Sequence, residues 1–287
     1  MPVLESDIGL AQHTSWKVGG TAECFFQPNN ADELSDFLQQ LPAEKSITWL
    51  GLGSNLLVRD NGVRGVVIAT FPTLNALRIN NDIVSAQVGV ACAQISRLTA
   101  RQGLTGLEFL AGIPGTVGGA LAMNAGCHQG EVWQTVKRVE MINRQGERYF
   151  RDANEFKVAY REVDLSPNEW FLSVDFHLKQ GNSSTALGVI RDLLAKRAAT
   201  QPTSYPNCGS VFRNPPNDHA ARLIEAAGLK GFKIGAAEVS TKHANFIINT
   251  GGATAADIER LIEHIEREVF QQFDIRLIRE VRIVGEK

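Results

Sequence analysis

Three features of this 287-residue sequence predict an α+β fold divided into two or three domains. The length exceeds that of most single domains, and 44% apolar with 21% charged residues is the balance of an ordinary globular chain with a sizeable core. Short apolar runs and amphipathic helical stretches follow one another to the end, with no internal repeat or low-complexity segment. Two glycine-rich turns, Gly51-Leu52-Gly53-Ser54-Asn55 and the stretch from Gly112 to Gly126, each follow a plausible strand. Glycine permits φ > 0 and lets backbone approach a ligand with no Cβ between them, so successive N–H groups can converge on an anion. Two such turns point to an extended phosphate-bearing body such as a dinucleotide.

The elements follow in order. Ala22–Gln27 reads as a strand, and Asn30-Ala31-Asp32-Glu33 opens a helix that carries Leu34, Phe37, Leu38 and Leu41 at helical spacing. Ser46–Leu50 is a strand leading into the first glycine turn, and Leu56–Val58 and Val66–Ala69 are strands joined through Asp60-Asn61-Gly62. Ile83–Gly89 alternates partly, Cys92–Gln102 is a helix closed by Gly103, and Val139–Ile142 forms a hairpin with Arg148–Arg151 across Asn143–Gly146. A strand over Phe171–Lys179, a polar turn over Gly181–Ser184 and a helix over Ala186–Ala199 precede Gln201–Asn207, whose two prolines mark a domain boundary. Beyond it come a helix over Ala220–Ala227 closed by Gly228, a strand over Ala244–Asn249 and a long helix over Thr254–Phe273. That helix has Ile258, Leu261, Ile262, Ile265, Val269 and Phe270 on one face, and a last strand spans Ile275–Val284.

Composition excludes several classes. A formal net charge of −2 offers no basic field to a nucleic-acid backbone, so any anion site is local. Cys24, Cys92, Cys127 and Cys208 form no C-x-x-C pair and read as free thiols in a reducing compartment. No histidine spacing suits a zinc catalyst, so no metal is expected. With neither a basic, apolar leader nor an apolar run of about 18 residues, the chain reads as cytoplasmic, away from the membrane.

The glycine turns fit neither of two common phosphate-binding motifs. The first lacks the lysine and magnesium ligand of a P-loop. It also lacks the third glycine of a dinucleotide fingerprint, having Leu56 there, and continues as strand rather than helix. The second has glycine at five of fifteen positions and one proline, and is too apolar for a flexible linker. Such a loop lies against something flat or phosphate-bearing, or packs tightly for structural reasons. Three shorter motifs have plainer readings. Ser210, in Cys208-Gly209-Ser210-Val211-Phe212, lacks a nucleophile elbow and reads as a turn residue. Tyr160-Arg161 reads as an arginine stacked on an aromatic ring, or as a clamp for a carboxylate or phosphate. Arg279-Glu280-Val281-Arg282 reads as a solvated charge cluster.

Taken together, these segments resemble the UDP-N-acetylenolpyruvoylglucosamine reductases, flavoenzymes of bacterial peptidoglycan synthesis. The resemblance runs in order through His13-Thr14-Ser15-Trp16-Lys17-Val18-Gly19-Gly20, both glycine turns, Tyr160-Arg161, Gly209–Pro215, His243-Ala244-Asn245-Phe246 and Glu280–Gly285. It implies a two-part FAD-binding module of the vanillyl-alcohol-oxidase type, residues 1–70 and 71–200. An α+β substrate domain over 201–274 follows, and 275–287 is a C-terminal strand returning to the active site. Only nine residues separate Arg161 from Phe171, so the chain resembles the shorter branch, without an extra substrate-covering loop.

The resemblance also implies the site. Gly51, Gly53, Ser54, Asn55 and Leu56, with Gly112, Ile113, Pro114, Gly115, Gly118, Gly119, Asn124, Ala125 and Gly126, would hold FAD non-covalently. NADPH would reduce the flavin and leave, and the enolpyruvyl ether of UDP-N-acetylglucosamine would follow it into the same cleft. Hydride would pass to the terminal vinyl carbon while charge develops on the substrate carboxylate, where preorganised positive groups are worth most. Arg161 matches the arginine that meets this charge, and Ser210 matches the donor of a proton to the α-carbon. Glu280 matches a protonated glutamate assisting the intermediate, a role that needs burial to raise its pKa. Tyr160, Asn214 and His243 match substrate-side positions; Arg197 and Gln201 are looser matches, and Lys242 could meet a phosphate. A monomer is expected. Two rivals remain: another flavoenzyme oxidase or dehydrogenase with FAD attached through histidine, for which His128 is the position to check, and a non-enzymatic nucleotide-sugar-binding protein.

Overall fold

The structure is a computed structural model that describes residues 4–127 and 130–287; His128 lies outside the described residues. Its α-helices are α1 (Ala31–Gln40), α2 (Cys92–Arg101), α3 (Val117–Ala122), α4 (Ser183–Thr200), α5 (Ala220–Ala226) and α6 (Ala255–Phe273). The chain divides into two compact units, each assembled from separate stretches. One comprises residues 1–4, 26–52 and 68–196; the other comprises 5–25, 53–67 and 197–287.

The first unit is built on a five-stranded antiparallel sheet. Its strands run in the order Arg148–Asp152, Val136–Asn143, Glu169–His177, Ile83–Gln87 and Leu77–Asn80. The expected hairpin is present, with Ile142 opposite Arg148 and Val139 opposite Arg151. Its turn packs on α1: a Cβ at Gly146 (φ +75°) would come within 2.3 Å of the Ser35 carbonyl, so only glycine fits. The start of α1 is the expected cap, Asn30 Oδ1 accepting the Glu33 N–H at 2.9 Å. Helix α4 begins earlier than expected. Asn182 Oδ1 accepts the Thr185 N–H at 3.1 Å, which draws Ser183 and Ser184 from the expected turn into the helix.

The second unit has its own apolar core. Trp16, Leu57, Val211, Phe212, Leu223, Ile247, Ile258, Leu261, Ile265, Val269 and Val281 are among its buried members. Helix α6 is capped by Thr254, with Asp257 completing a capping box, and buries the predicted face. Phe270 is the exception: it is 38% exposed and lies under the Arg276 guanidinium. Two expected strands shrink. Residues 244–246 turn, with the Phe246 N–H bonded to the His243 carbonyl at 3.0 Å, and the strand is only Ile247–Asn249. The last strand is Arg282–Val284, because residues 275–281 form just one bridge, Arg279 with Phe212. Arg279 is not a solvated charge: it donates to both oxygens of Glu266 at 2.5 and 2.6 Å.

The final strand lies parallel to Leu56–Val58, with Ile283 opposite Leu57. Arg59 fastens this pairing. Its N–H meets the Val284 carbonyl at 2.9 Å, its Nη1 the Gly285 carbonyl at 2.9 Å, and its Nε and Nη2 the carboxylate of Glu259 at 2.9 and 2.8 Å. The hydrogen bonds from Arg59 hold the Glu259 carboxyl below its ordinary 4.5. A depressed carboxyl stabilises the fold above its unfolded pKa and loses that contribution as pH falls through the folded value. Glu259→Gln should therefore destabilise the protein at pH 7 by about 1–2 kcal/mol in urea unfolding. The gap should close below pH 4.5; a gap independent of pH would contradict the ion pair.

Candidate active site

The first glycine turn is held on its second-unit side by the segment His13–Gly20. The Ser15 N–H donates to the Gly53 carbonyl at 3.1 Å, and Trp16 Nε1 to the Ile247 carbonyl at 2.7 Å. Gly53 has φ +66°, and a Cβ there would lie 2.0 Å from the His13 carbonyl oxygen. A Cβ at Gly51 would lie 2.6 Å from Thr116 Oγ1, in the second glycine loop. Strand follows the turn directly, as expected. Among the described residues, the backbone N–H groups of Gly51 to Asn55 donate to no protein acceptor.

The second loop, Gly112 to Gly126, is rigid for identifiable reasons. Its centre is α3, with Thr116 as N-cap. The N–H groups of Val117 and Gly118 bond to the carbonyls of Val90 and Val88 at 2.8 and 2.9 Å. Asn124 is fully buried with φ +39°. Its Nδ2 donates to Glu131 at 2.9 Å and to the Ala159 carbonyl at 3.0 Å, and its Oδ1 accepts the Trp133 N–H at 3.4 Å. The Asn124 side chain is thus a brace between the loop and the short hairpin of Val158–Ala159 with Glu162–Val163. At the tip of that hairpin sits Arg161, itself at φ +57°, a conformation uncommon for an arginine. Its Nη2 donates to the Gly126 carbonyl at 2.6 Å, and its guanidinium lies 4.9 Å from the centre of the Tyr160 ring. The first sequence reading of Tyr160-Arg161, an arginine stacked on an aromatic ring, is present.

The glycines sort into two kinds. Gly51, Gly53, Gly118 and Gly126 are enforced by the protein's own packing, because a Cβ at each would sit under 3.0 Å from a neighbour. Gly112 has nothing within 4 Å of such a Cβ, and Gly119 only Thr116 Oγ1 at 3.9 Å. Neither has φ > 0. Their lack of a side chain has no internal cause, which fits a flat or phosphate-bearing group lying against them. The chain's residues therefore fit FAD.

In the second unit, backbone hydrogen bonds gather three predicted residues. The Glu280 N–H donates to the Val211 carbonyl at 2.8 Å, Asn55 Nδ2 donates to the Glu280 carbonyl at 3.0 Å, and the Arg282 N–H to the Asn55 carbonyl at 3.0 Å. Ser210 precedes Val211 and follows Gly209, whose φ is +74°. Among the described residues, the Ser210 hydroxyl has no hydrogen-bond partner. Cys208 anchors this segment from the other side: its buried thiol lies 3.4 Å from the Leu56 carbonyl, and burial pushes its pKa up to about 12, so it stays neutral. The other predicted positions have structural duties. Asn214 Oδ1 accepts the Ala220 N–H at 3.1 Å at the start of α5, Lys242 Nζ donates to the Ala198 carbonyl at 2.6 Å, and Arg197 Nε donates to Gln201 at 3.1 Å. His243 keeps a buried Nδ1 with no partner, and burial pushes its pKa below 6.5. It is therefore a neutral imidazole near pH 7. Among the described residues no group of three or more His, Cys, Asp or Glu could hold a metal ion, and no helix is long and apolar enough to cross a membrane.

Two glycine loops, one of them with two glycines that no internal packing explains, fit an FAD-binding oxidoreductase of α+β architecture with an added C-terminal α+β domain. Residues 22–149 match the model of an FAD binding domain, and residues 201–284 match that of the UDP-N-acetylenolpyruvoylglucosamine reductase C-terminal domain. The reductase of that name from Alkalilimnicola ehrlichii is 53% identical over 96% of this chain and 93% of its own length. That from Legionella pneumophila strain Corby is 54% identical over 96% and 91%. The crystal structure of the Thermus caldophilus enzyme is 31% identical and superposes with a TM-score of 0.86, covering 99% of this chain and 100% of its own. The chain belongs to the UDP-N-acetylenolpyruvoylglucosamine reductase family.

The two unexplained glycines give a direct test. Gly119→Ala places a methyl group in open space within a helix, so unfolding of the FAD-free protein should be unchanged or up to about 1 kcal/mol more favourable to the native state. FAD affinity, measured by fluorescence titration, should fall at least about tenfold, the effect of losing 1.4 kcal/mol of binding. Unaltered affinity would mean that no ligand approaches Gly119.

Proposed function

We propose that this protein reduces the enolpyruvyl ether of UDP-N-acetylglucosamine to UDP-N-acetylmuramate, with NADPH as hydride source, in cytoplasmic peptidoglycan precursor synthesis. The FAD-binding module would comprise residues 1–70 and 71–200, the substrate domain 201–274, and residues 275–287 a strand serving the active site. We take the protein to act as a monomer. The bound FAD supplies hydride transfer between NADPH and the terminal vinyl carbon of the substrate.

The chain's own residues would do the rest. The backbone of both glycine loops holds the cofactor. Reduction of the double bond adds hydride at the vinyl CH2 and a proton at the α-carbon, so a proton donor and a stabiliser of transient negative charge are both required. The Ser210 hydroxyl gives the proton. Arg161 sets a fixed positive charge against the substrate carboxylate, an effect strongest where water is excluded. Glu280, acting as an un-ionised carboxyl, assists the same step. His243, as a neutral imidazole, and Tyr160 and Asn214 would contact substrate or NADPH.

The observation that carries this reading is the Val211–Glu280 backbone bond with Asn55 on the Glu280 carbonyl. It joins the segments of the proton donor and the carboxyl to the first glycine turn. A nucleotide-sugar-binding protein without catalysis has no need of that pairing. Ser210→Ala should leave anaerobic reduction of the flavin by NADPH intact. It should slow reoxidation by the enolpyruvyl substrate by about 10²–10⁴-fold, the range for a lost general acid. Stopped-flow absorbance separates the two half-reactions, and wild-type reoxidation in this variant would remove Ser210 from the chemistry.

A further inference from the structure

Ser210 and Glu280 reach their positions through a residue with no assigned role. Asn245 is 4% exposed and lies in the turn before the strand Ile247–Asn249. Its side-chain amide faces the backbone of Phe212 in both directions. Oδ1 accepts the Phe212 N–H at 3.0 Å, and Nδ2 donates to the Phe212 carbonyl at 2.8 Å. Its own carbonyl accepts the Val211 N–H at 2.9 Å. A single asparagine thus supplies three hydrogen bonds to two consecutive peptides, standing in for the strand that would otherwise pair with them. The opposite edge of the same two residues carries the Glu280 segment. The Val211 carbonyl accepts the N–H groups of Glu280 and Val281 at 2.8 and 3.3 Å, and Phe212 bridges Arg279.

We propose that Asn245 is a positioning residue for proton delivery: its amide fixes the Val211–Phe212 backbone, and through it the relative placement of Ser210 and Glu280. The chemistry explains why asparagine suits the position. Only a primary amide offers one acceptor and one donor side by side, matching a peptide's own N–H and carbonyl. Aspartate keeps the acceptor, but its second oxygen faces the Phe212 carbonyl and repels it. Leucine fills similar volume and satisfies neither group.

The proposal rests on the reductase reading, and two independent measurements on the FAD-loaded full chain separate them. The first is amide hydrogen exchange, which needs no substrate. In Asn245→Asp, the amides of Val211, Phe212, Glu280 and Val281 should exchange at least about tenfold faster, a change of 1.4 kcal/mol in local opening, while α6 keeps its protection. Unchanged exchange at these four amides would overturn the proposal. The second measurement is anaerobic stopped flow. Flavin reduction by NADPH should stay within about twofold of wild type, and reoxidation by the enolpyruvyl substrate should slow at least about tenfold with an increased solvent deuterium isotope effect. Leu261→Ala, a truncation in the same core away from these bonds, should move neither half-reaction nor the isotope effect. If Asn245→Asp slows both half-reactions equally, or matches Leu261→Ala, the residue is merely structural and the proposal fails. If wild-type flavin is not reoxidised by the substrate while the four amides still lose protection in the variant, the reductase reading fails and the backbone-fixing role of Asn245 stands.

Discussion

The second unit depends on one parallel strand pairing, Arg282–Val284 alongside Leu56–Val58. The strand that leaves the first glycine turn is thereby joined to the end of the chain, more than two hundred residues later. Burial of Leu57 and Val281 in the common core fixes the register, since a one-residue slip would turn these side chains toward solvent. Once register is set, Asn55 faces the Glu280 carbonyl and the Glu280 N–H faces Val211. Arg59 locks the far end through Glu259 and Gly285. A partly buried, bidentate arginine–carboxylate pair is among the stronger ionic contacts a protein makes, and here it closes a loop between distant segments.

The first unit solves a different problem, the orientation of a cation at the tip of a two-residue-strand hairpin. Arg161 is aimed by carbonyl oxygens, by a left-handed backbone and by the Tyr160 face. The carbonyls of Asn124 and Gly126 thereby set the direction of the guanidinium. The brace that makes this possible is Asn124, whose amide is wholly occupied by protein partners. Strained backbone at Asn124 and Arg161 fits a site held in one conformation at some cost in stability.

Much of this was legible in the sequence, for physical reasons that can be named. Helix α1 announces itself through its cap, α1 and α6 through 3.6-residue periodicity, and the Asn143–Gly146 hairpin through its turn chemistry. Family resemblance singled out Arg161, Ser210 and Glu280 where local patterns gave each a bland reading. What stayed hidden was set by tertiary pairing. Residues 275–281 are apolar and charged in a strand-like manner, yet their partner edge is a single bridge to Phe212. Asn245 lies inside a run read as strand; asparagine is a poor strand former, and that mismatch was the available sign of a special backbone role. The two kinds of glycine are indistinguishable by sequence, because what a Cβ would strike belongs to segments far along the chain.

In the proposed reaction, bound flavin passes reducing equivalents from NADPH to an enolpyruvyl nucleotide sugar. The most direct test reduces the FAD-loaded protein anaerobically with one equivalent of NADPH, adds UDP-N-acetylglucosamine enolpyruvate and follows the visible flavin band. Rapid return of the oxidised band without oxygen, with UDP-N-acetylmuramate formed in equal amount, is the predicted result. A flavin that bleaches and stays reduced in the presence of that substrate would contradict the account.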